Sequence, residues 1–329
     1  MGGRGRGGEQ RRPRWPDPRP RSGALIQEAS DRADLQDLLR EVRRAEILGR
    51  RLAADLLSGA WASIFRGAGV EFHEVREWVE GDDPRAVDAV LSARAGRPLV
   101  KQFVDERRRT LLFLLDLAPS LDAGLGAWTP RQAAARIGAA VGEAAVAHGD
   151  RVGLVAFDSR IRLVVPPGHG RGALLRILRG MLALPAAGGA GGAAEALRFA
   201  TRSIRRHAII LLFSDLLRPD WRQTVYACAL RHDLIAAHLL APELVELPEA
   251  VVRLRDPSGP LVVVDGRSRR RREAWAARSR AWREEIDSRL TAAGAERIEF
   301  RLPLGEDPEA LTRPLLAFLR RRELRRRRG

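Results

Sequence analysis

"LLFLLDLAPSL", residues 111–121, decides how this chain is read. Five apolar residues run without a break into Asp116, and Ser120 follows four positions later. A short apolar run bounded by loop residues marks a strand buried on both faces. A carboxylate at the mouth of such a strand is costly to keep without a partner. The strand therefore ends on a metal site, on the remnant of one, or on an acid that the following loop satisfies. A second run, "AIILLF" at 208–213, leads in the same way into Ser214-Asp215. In open α/β sheets ligands sit outside the carboxyl ends of strands. Asp116, Ser120 and Asp215 are thus candidate hard-oxygen ligands of one crevice, suited by type to Mg²⁺. One acid after a strand is more simply a cap for the loop behind it; two matching strand ends argue for a shared site.

The surrounding rhythm predicts an α/β fold with a doubly wound, largely parallel sheet. An amphipathic helix is expected over roughly 28–57, with extended segments at 70–79 and 98–104. Beyond 110, strands at 111–115, 152–157, 161–165, 208–213, 234–240 and 297–301 alternate with helices. The helices are expected from Thr129-Pro130 to about 148, and at 172–184, 194–206, 220–231, 268–292 and 308–322. A hairpin-like excursion at 251–264, within 244–266, interrupts the alternation. The domain reading is an Arg/Gly/Pro tail at 1–23, which composition marks as disordered. An N-terminal segment follows at 24–108, then the α/β domain at 109–322 and a basic tail at 323–329.

The chain has 329 residues, 45% of them hydrophobic, enough for a sizeable core. Its longest apolar runs fall far short of the ~20 residues that span a bilayer, and the first residues contain no apolar signal core. Cys228 is the only cysteine, so no internal disulfide can form. A cytoplasmic location is the expectation. The net charge of +16 invites a nucleic-acid reading. The excess sits in three places: residues 1–22, the run 267–272 and residues 320–329. The remainder of the chain is neutral, which points to solvated arginine arms rather than a folded reading surface. Lys101 is the sole lysine, so no Gly-Lys-Ser/Thr phosphate loop exists. "GHGRGA" (168–173) and "GAGGAA" (189–194) lack the downstream acid of a dinucleotide site, since 159–194 contains no Asp or Glu. The six histidines are scattered without zinc spacing, and there is no G-x-S-x-G elbow. Cys228 falls in an apolar helical pattern and reads as core. In "REWVEGDDPRAVD" (76–88), Asp82-Asp83-Pro84 reads as the start of a helix, with a docking surface as the functional alternative.

The order strand, Asp-x-Ser-x-Ser loop, threonine loop, strand-Asp resembles the von Willebrand factor A fold and its metal-ion-dependent adhesion site. Residues 67–94 ("GAGVEFHEVREWVEGDDPRAVDAVLSAR") and 99–103 ("LVKQF") resemble one branch of it, the domain-of-unknown-function 58 family. These are von Willebrand A-like proteins often encoded beside MoxR-type AAA+ ATPases. Glu71, Arg76, Gly81, Asp82, Asp83, Arg85, Asp88, Ser92 and Arg94 fall in place, while Ala89 stands where a tryptophan is usual. The likeness continues through "GDRVGLVAFD" (149–158), "LLFSDLL" (211–217) and "VRLRDPSGPLVVVD" (252–265), and covers about 35–322.

The metal motif departs from the pattern. Asp116, Ser120 and Asp215 remain, but Ala118 holds the first serine position, and spacing puts the threonine position at about Gly191. The resemblance then implies a degenerate site with weak Mg²⁺ binding or none, its two acids held by loop amides. It implies a non-enzymatic interaction module, an adaptor or co-chaperone for a MoxR-type AAA+ ATPase and a client protein. Glu71, Arg76, Asp82, Asp83, Arg85, Asp88 and Arg94 are its candidate partner-binding residues. The alternatives are a metal-dependent hydrolase using Asp116, Asp158 and Asp215, and an arginine-armed nucleic-acid binder.

Overall fold

The strand that ends on Asp116 lies in the interior of a six-stranded sheet, and all seven of its residues are buried. The computed structural model describes residues 40–47, 50, 71–79, 87–104, 109–185, 191–255 and 261–328. In chain order the elements are a helical segment α1 at 40–47, β1 (Glu71–Glu77), α2 (Ala89–Ala95), β2 (Leu99–Val104) and β3 (Thr110–Asp116). Then come α3 (Pro130–Ala147), β4 (Arg151–Phe157), β5 (Ile161–His169), α4 (Gly170–Ala183), α5 (Ala193–Ser203) and β6 (Ile209–Ser214). The chain continues through α6 (Val225–Ala229), β7 (Asp233–Leu240), α7 (Pro242–Val245), β8 (Val251–Arg255) and β9 (Leu261–Asp265). It closes with α8 (Arg269–Ala292), β10 (Glu296–Arg301) and α9 (Glu309–Arg328).

The sheet order is β10-β7-β6-β3-β4-β5, with every neighbouring pair parallel except β4 and β5. From β3 the chain winds outward to β4 and β5, then returns to the other side of β3 with β6, β7 and β10. The order therefore reverses between β3 and β6. Connections leaving such a pair diverge and open a crevice outside the carboxyl ends. β1–β2 and β8–β9 form two separate antiparallel pairs.

Side-chain alternation along β3 sorts the core into two layers. Leu111, Phe113 and Leu115 join one cluster with residues of α3, α4 and α9; Leu112 and Leu114 join the other with α5, α6 and α8. Phe113 leans on Phe213 of β6 at 5.8 Å between ring centroids. α3 begins with a reciprocal cap: Thr129 Oγ1 accepts from Gln132 N (3.2 Å), and Gln132 Oε1 accepts from Thr129 N (3.1 Å). Its small residues let α4 come close, because a Cβ on Gly142 would stand 2.4 Å from Leu174 Cδ1. The segment α1 lies on this layer through Val42 and Ala45, and Glu41 pairs with Arg136 at 3.1 Å.

Several elements differ from the sequence expectation. β5 runs on through Pro166 and Pro167 to His169; proline, which cannot donate to a ladder, is tolerated there because β5 is the outer strand. The helix expected over 220–231 divides into a 3₁₀ turn (Pro219–Gln223) and the short α6, with Thr224 between them. The last helix continues to Arg328 instead of giving way to a tail at 323. Arg322 explains part of this: its guanidinium holds Asp233 at 2.5 and 2.7 Å and also bonds Glu296, pinning the helix to β7 and β10. Arginines read as a solvated arm thus include a structural latch. The expected tail at 1–23 and most of the helix at 28–57 lie outside the described residues.

Phe113→Ala would open a void in the layer that Leu111, Phe113 and Leu115 share with α3, α4 and α9. The expected cost is about 3–5 kcal/mol, read from denaturant unfolding of the variant against the parent chain.

Candidate functional site

The parallel register of β3 and β6 sets Leu115 opposite Phe213, which brings Asp116 level with Ser214 and leaves Asp215 one step beyond. Each acid is then braced by the other strand's hydroxyl. Ser214 Oγ donates to Asp116 Oδ2 at 2.8 Å, and Ser120 Oγ, in the 3₁₀ turn after β3, donates to Asp215 Oδ2 at 2.5 Å. The remaining carboxylate oxygens take loop amides two residues on: Ala118 N donates to Asp116 Oδ1 (2.9 Å), and Leu217 N to Asp215 Oδ1 (3.1 Å). All four oxygens of the pair therefore have a donor from the chain. Leu216 adopts φ +55°, a left-handed conformation that is strained for leucine. Its amide donates to Ser214 Oγ (3.0 Å), so the strained turn serves both acids.

A buried polar chain stands behind Asp215. His238 is fully buried on β7, and its Nε2–H donates to the Asp215 carbonyl at 2.9 Å. Its Nδ1 accepts from Arg297 at 3.1 Å, which assigns the neutral tautomer. Burial, with Arg297 beside it, pushes the imidazole down to about 3. Arg297 also bonds Glu299, which pairs with Arg283 and Arg301. Burial alone would raise Glu299, but the three arginines hold it down at about 2.

The glycine loop before α5 closes another side. Gly192 has φ +91°, and a Cβ there would stand 1.8 Å from the Asp158 carbonyl oxygen, so the position admits no side chain. At Gly191 (φ +104°) a Cβ would lie 3.9 Å from the Asp220 carboxylate. Spacing placed a missing threonine here; the backbone conformation adds that any side chain would be strained. Asp220 Oδ2 caps α5 through Ala194 N (3.0 Å), while its buried Oδ1 has no hydrogen-bond partner among the described residues. Asp158 is committed elsewhere: Oδ1 accepts from Arg160 N (3.0 Å) and Oδ2 pairs with Arg162 (3.2 Å).

Burial pushes the Asp116 carboxyl up to about 7, helped by the charge of Asp215 and, more weakly, Asp220, and opposed by the Ser214 and Ala118 bonds. Asp215 is also raised by burial, with Ser120, Leu217 N and Arg218 acting against it. The fit to Mg²⁺ is poor on the donors present. Ala118 and Gly191 offer no side-chain oxygen, and the four carboxylate oxygens already serve the fold. No group of three or more His, Cys, Asp or Glu side chains is arranged to hold a metal among the described residues.

Comparison with known proteins follows this geometry. The family described as "Protein of unknown function DUF58" matches residues 74–285. The chain belongs to that family. Among its relatives are uncharacterized proteins of Mycobacterium bovis and Mycobacterium tuberculosis, each 28% identical over 276 residues, covering 82% of this chain and 87% of theirs. Among solved structures, the conserved hypothetical protein BatB from Bacteroides thetaiotaomicron aligns at 14% identity and TM-score 0.37, over 64% of this chain and 99% of that one. The PilB minor pilin from Streptococcus sanguinis aligns at 11% identity and TM-score 0.35, over 69% and 64%.

In this DUF58 chain the structure brings Asp116, Ser120 and Asp215 together and adds Ser214, Asp220 and His238, which sequence reasoning had not singled out. Ser214 stood in plain view before Asp215, but only the β3–β6 register reveals its partner. Of the signature block, Asp88 caps α2 by accepting from Leu91 N (2.8 Å), and Arg94 lies exposed in that helix's last turn. Asp82, Asp83 and Arg85 lie outside the described residues, as do the side chains of Glu71 and Arg76.

The raised Asp116 has a sign that can be checked. The native state binds more protons here than the unfolded chain between about pH 4 and 7, so this group's contribution falls as pH rises through that window. Asp116→Asn keeps an acceptor for Ala118 N and a donor toward Ser214 without the charge. We expect it to match the parent chain near pH 4 and exceed it by about 1–3 kcal/mol near pH 8, read from unfolding curves across that range.

Proposed function

We propose that this DUF58 protein is a von Willebrand factor A-like interaction module and not an enzyme. In this reading it acts as an adaptor or co-chaperone for a MoxR-type AAA+ ATPase, presenting its carboxyl-end crevice to that partner or to a client. The strand order and the two acids at the switch point support the fold assignment. The ATPase partner rests on the family resemblance carried by residues 67–103. The observation that carries the reading is the reciprocal bracing of Asp116 and Asp215 by Ser214 and Ser120. A site whose acids are spent on holding two strand ends together is a shaped surface rather than a reactive centre.

The same geometry weighs against hydrolysis. Nucleophilic serine chemistry needs a base positioned on the hydroxyl and oriented by a third group. Both nitrogens of His238 are committed, to the Asp215 carbonyl and to Arg297, and both serine hydroxyls donate to carboxylates. The metal-dependent alternative draws on Asp116, Asp158 and Asp215, and the Asp158 carboxylate is bound by Arg162.

Isothermal titration tests the reading in two steps. Mg²⁺ and Mn²⁺ added to the chain alone should give no saturable heat. The purified MoxR-type ATPase should bind equally with and without EDTA, and Asp116→Ala/Asp215→Ala should weaken that binding at least about tenfold, because the bracing that shapes the crevice is lost. Saturable metal binding abolished by Asp116→Ala, or partner binding that requires Mg²⁺, would return the site to metal-bridged capture.

A further inference from the structure

We propose that the β8–β9 hairpin and the first turn of α8 form a peripheral docking surface for an anionic lipid bilayer. The hairpin stands apart from the main sheet and breaks the usual alternation of a surface strand. Leu261 and Val262 are each 49% exposed, Val263 61% and Val251 50%. Pairing sets Val251 against Asp265 and Arg253 against Val263. Val251, Leu261 and Val263 therefore share one face with Arg253, while Val262 faces the other way. Aliphatic groups exposed on both faces of one strand suit a fluid apolar medium that closes around them better than a fixed groove that meets one face.

The charge beside these residues breaks a second rule. α8 opens with four consecutive arginines, has no acid in its first turn, and its N-cap Ser268 makes no side-chain cap bond. Cations at the positive end of a helix are unfavourable, so this placement costs the fold something that an external anion would offset. Two arginines here reach the hairpin face that carries Leu261, Val263 and Arg253, while Val252, Leu254, Val262 and Val264 make the other face wholly aliphatic. Asp265, on the same face as Leu261 and Val263, pairs with Arg267 at 3.0 Å and with Arg271 at 4.0 Å. Arg272 bonds the Gly266 and Arg267 carbonyls and so ties the helix to the turn. Between 249 and 273 the described residues hold seven arginines against Glu249, Asp265 and Glu273.

Headgroup phosphates beneath an apolar interior answer both departures at once. A second copy of the chain would set arginine against arginine. A polynucleotide would neutralise the charge but leave the aliphatic face in water, and the described residues of the hairpin include no aromatic ring for base stacking. Among the described residues no helix is long and apolar enough to cross a membrane, so the attachment proposed is peripheral.

The test uses the full chain with vesicles of phosphatidylcholine alone or mixed with phosphatidylglycerol, read by flotation. Anionic vesicles should bind at least about tenfold better than neutral ones, and Leu261→Ser/Val263→Ser should lower that affinity about tenfold. Both substitutions are at exposed positions, and a thermal melt checks that the variant stays folded. An independent arm is Val263→Cys carrying an environment-sensitive dye, which reacts selectively because the native Cys228 is buried. Its emission should shift to the blue on anionic vesicles. Equal binding by the serine variant with a label that stays in water would reduce the effect to general arginine adhesion and overturn the proposal. Failure to bind anionic vesicles, or a label that shifts only with RNA or an acidic protein, would overturn it too. None of these outcomes bears on the carboxyl-end crevice, whose partner is tested separately.

Discussion

Two buried carboxylates at adjoining strand ends repel one another, and the centre of this fold is arranged around that repulsion. Asp116 and Asp215 are each held by the hydroxyl that belongs to the other strand, Ser214 on β6 and Ser120 after β3. The bracing works only in the observed register. A slip of one residue between β3 and β6 would exchange the sheet faces of every side chain along the strand and dissolve both hydrogen bonds. The two core layers, sorted by alternation along β3, rest on that same register.

The cost of this arrangement is spread behind it. The Asp215 carbonyl is bonded by a neutral, fully buried His238, which is held in its tautomer by Arg297 and flanked edge-on by Trp282 at 5.2 Å. Arg297 is balanced by Glu299, and Glu299 by Arg283 and Arg301. A buried network of this kind rigidifies a site when every member is satisfied. The strained Leu216, in the left-handed region, and the Gly191-Gly192 pair, whose positive φ glycine adopts freely, lie on loops at the same end of the sheet. Asp116, Ser214, Asp215 and His238, all buried, thus meet at the carboxyl ends of β3, β6 and β7.

Much of this was legible in residue order. The run 111–115 with its terminal acid, and its counterpart at 208–213, announced two buried strands with matching ends, and both form as read. Thr129-Pro130 marked the start of α3 because cap and proline chemistry are local. The hairpin at 251–264 was visible as two short runs around turn residues. What was misread had non-local causes. The strand expected at 161–165 runs on through Pro166 and Pro167, which an outer strand tolerates. Arg322 looked like one more charge in a basic tail until β7 and β10 brought Asp233 and Glu296 to it. That loop amides hold the two acids was expected; which amides do so, Ala118 N and Leu217 N, and that Gly192 lies against the Asp158 carbonyl needed the folded chain.

The sequence by itself determined the alternation of strands and helices, the two acids at strand ends, the missing hydroxyls and the location of the charge. Those are properties of local pattern and composition, set by side-chain period and backbone preference. Tertiary structure alone decided which acid meets which serine and that His238 stands behind one of them. Each of these depends on contacts between residues far apart in the chain, from 23 positions for His238 to 98 for Ser214. Such contacts are fixed by register and packing, and no local signal in the chain encodes them.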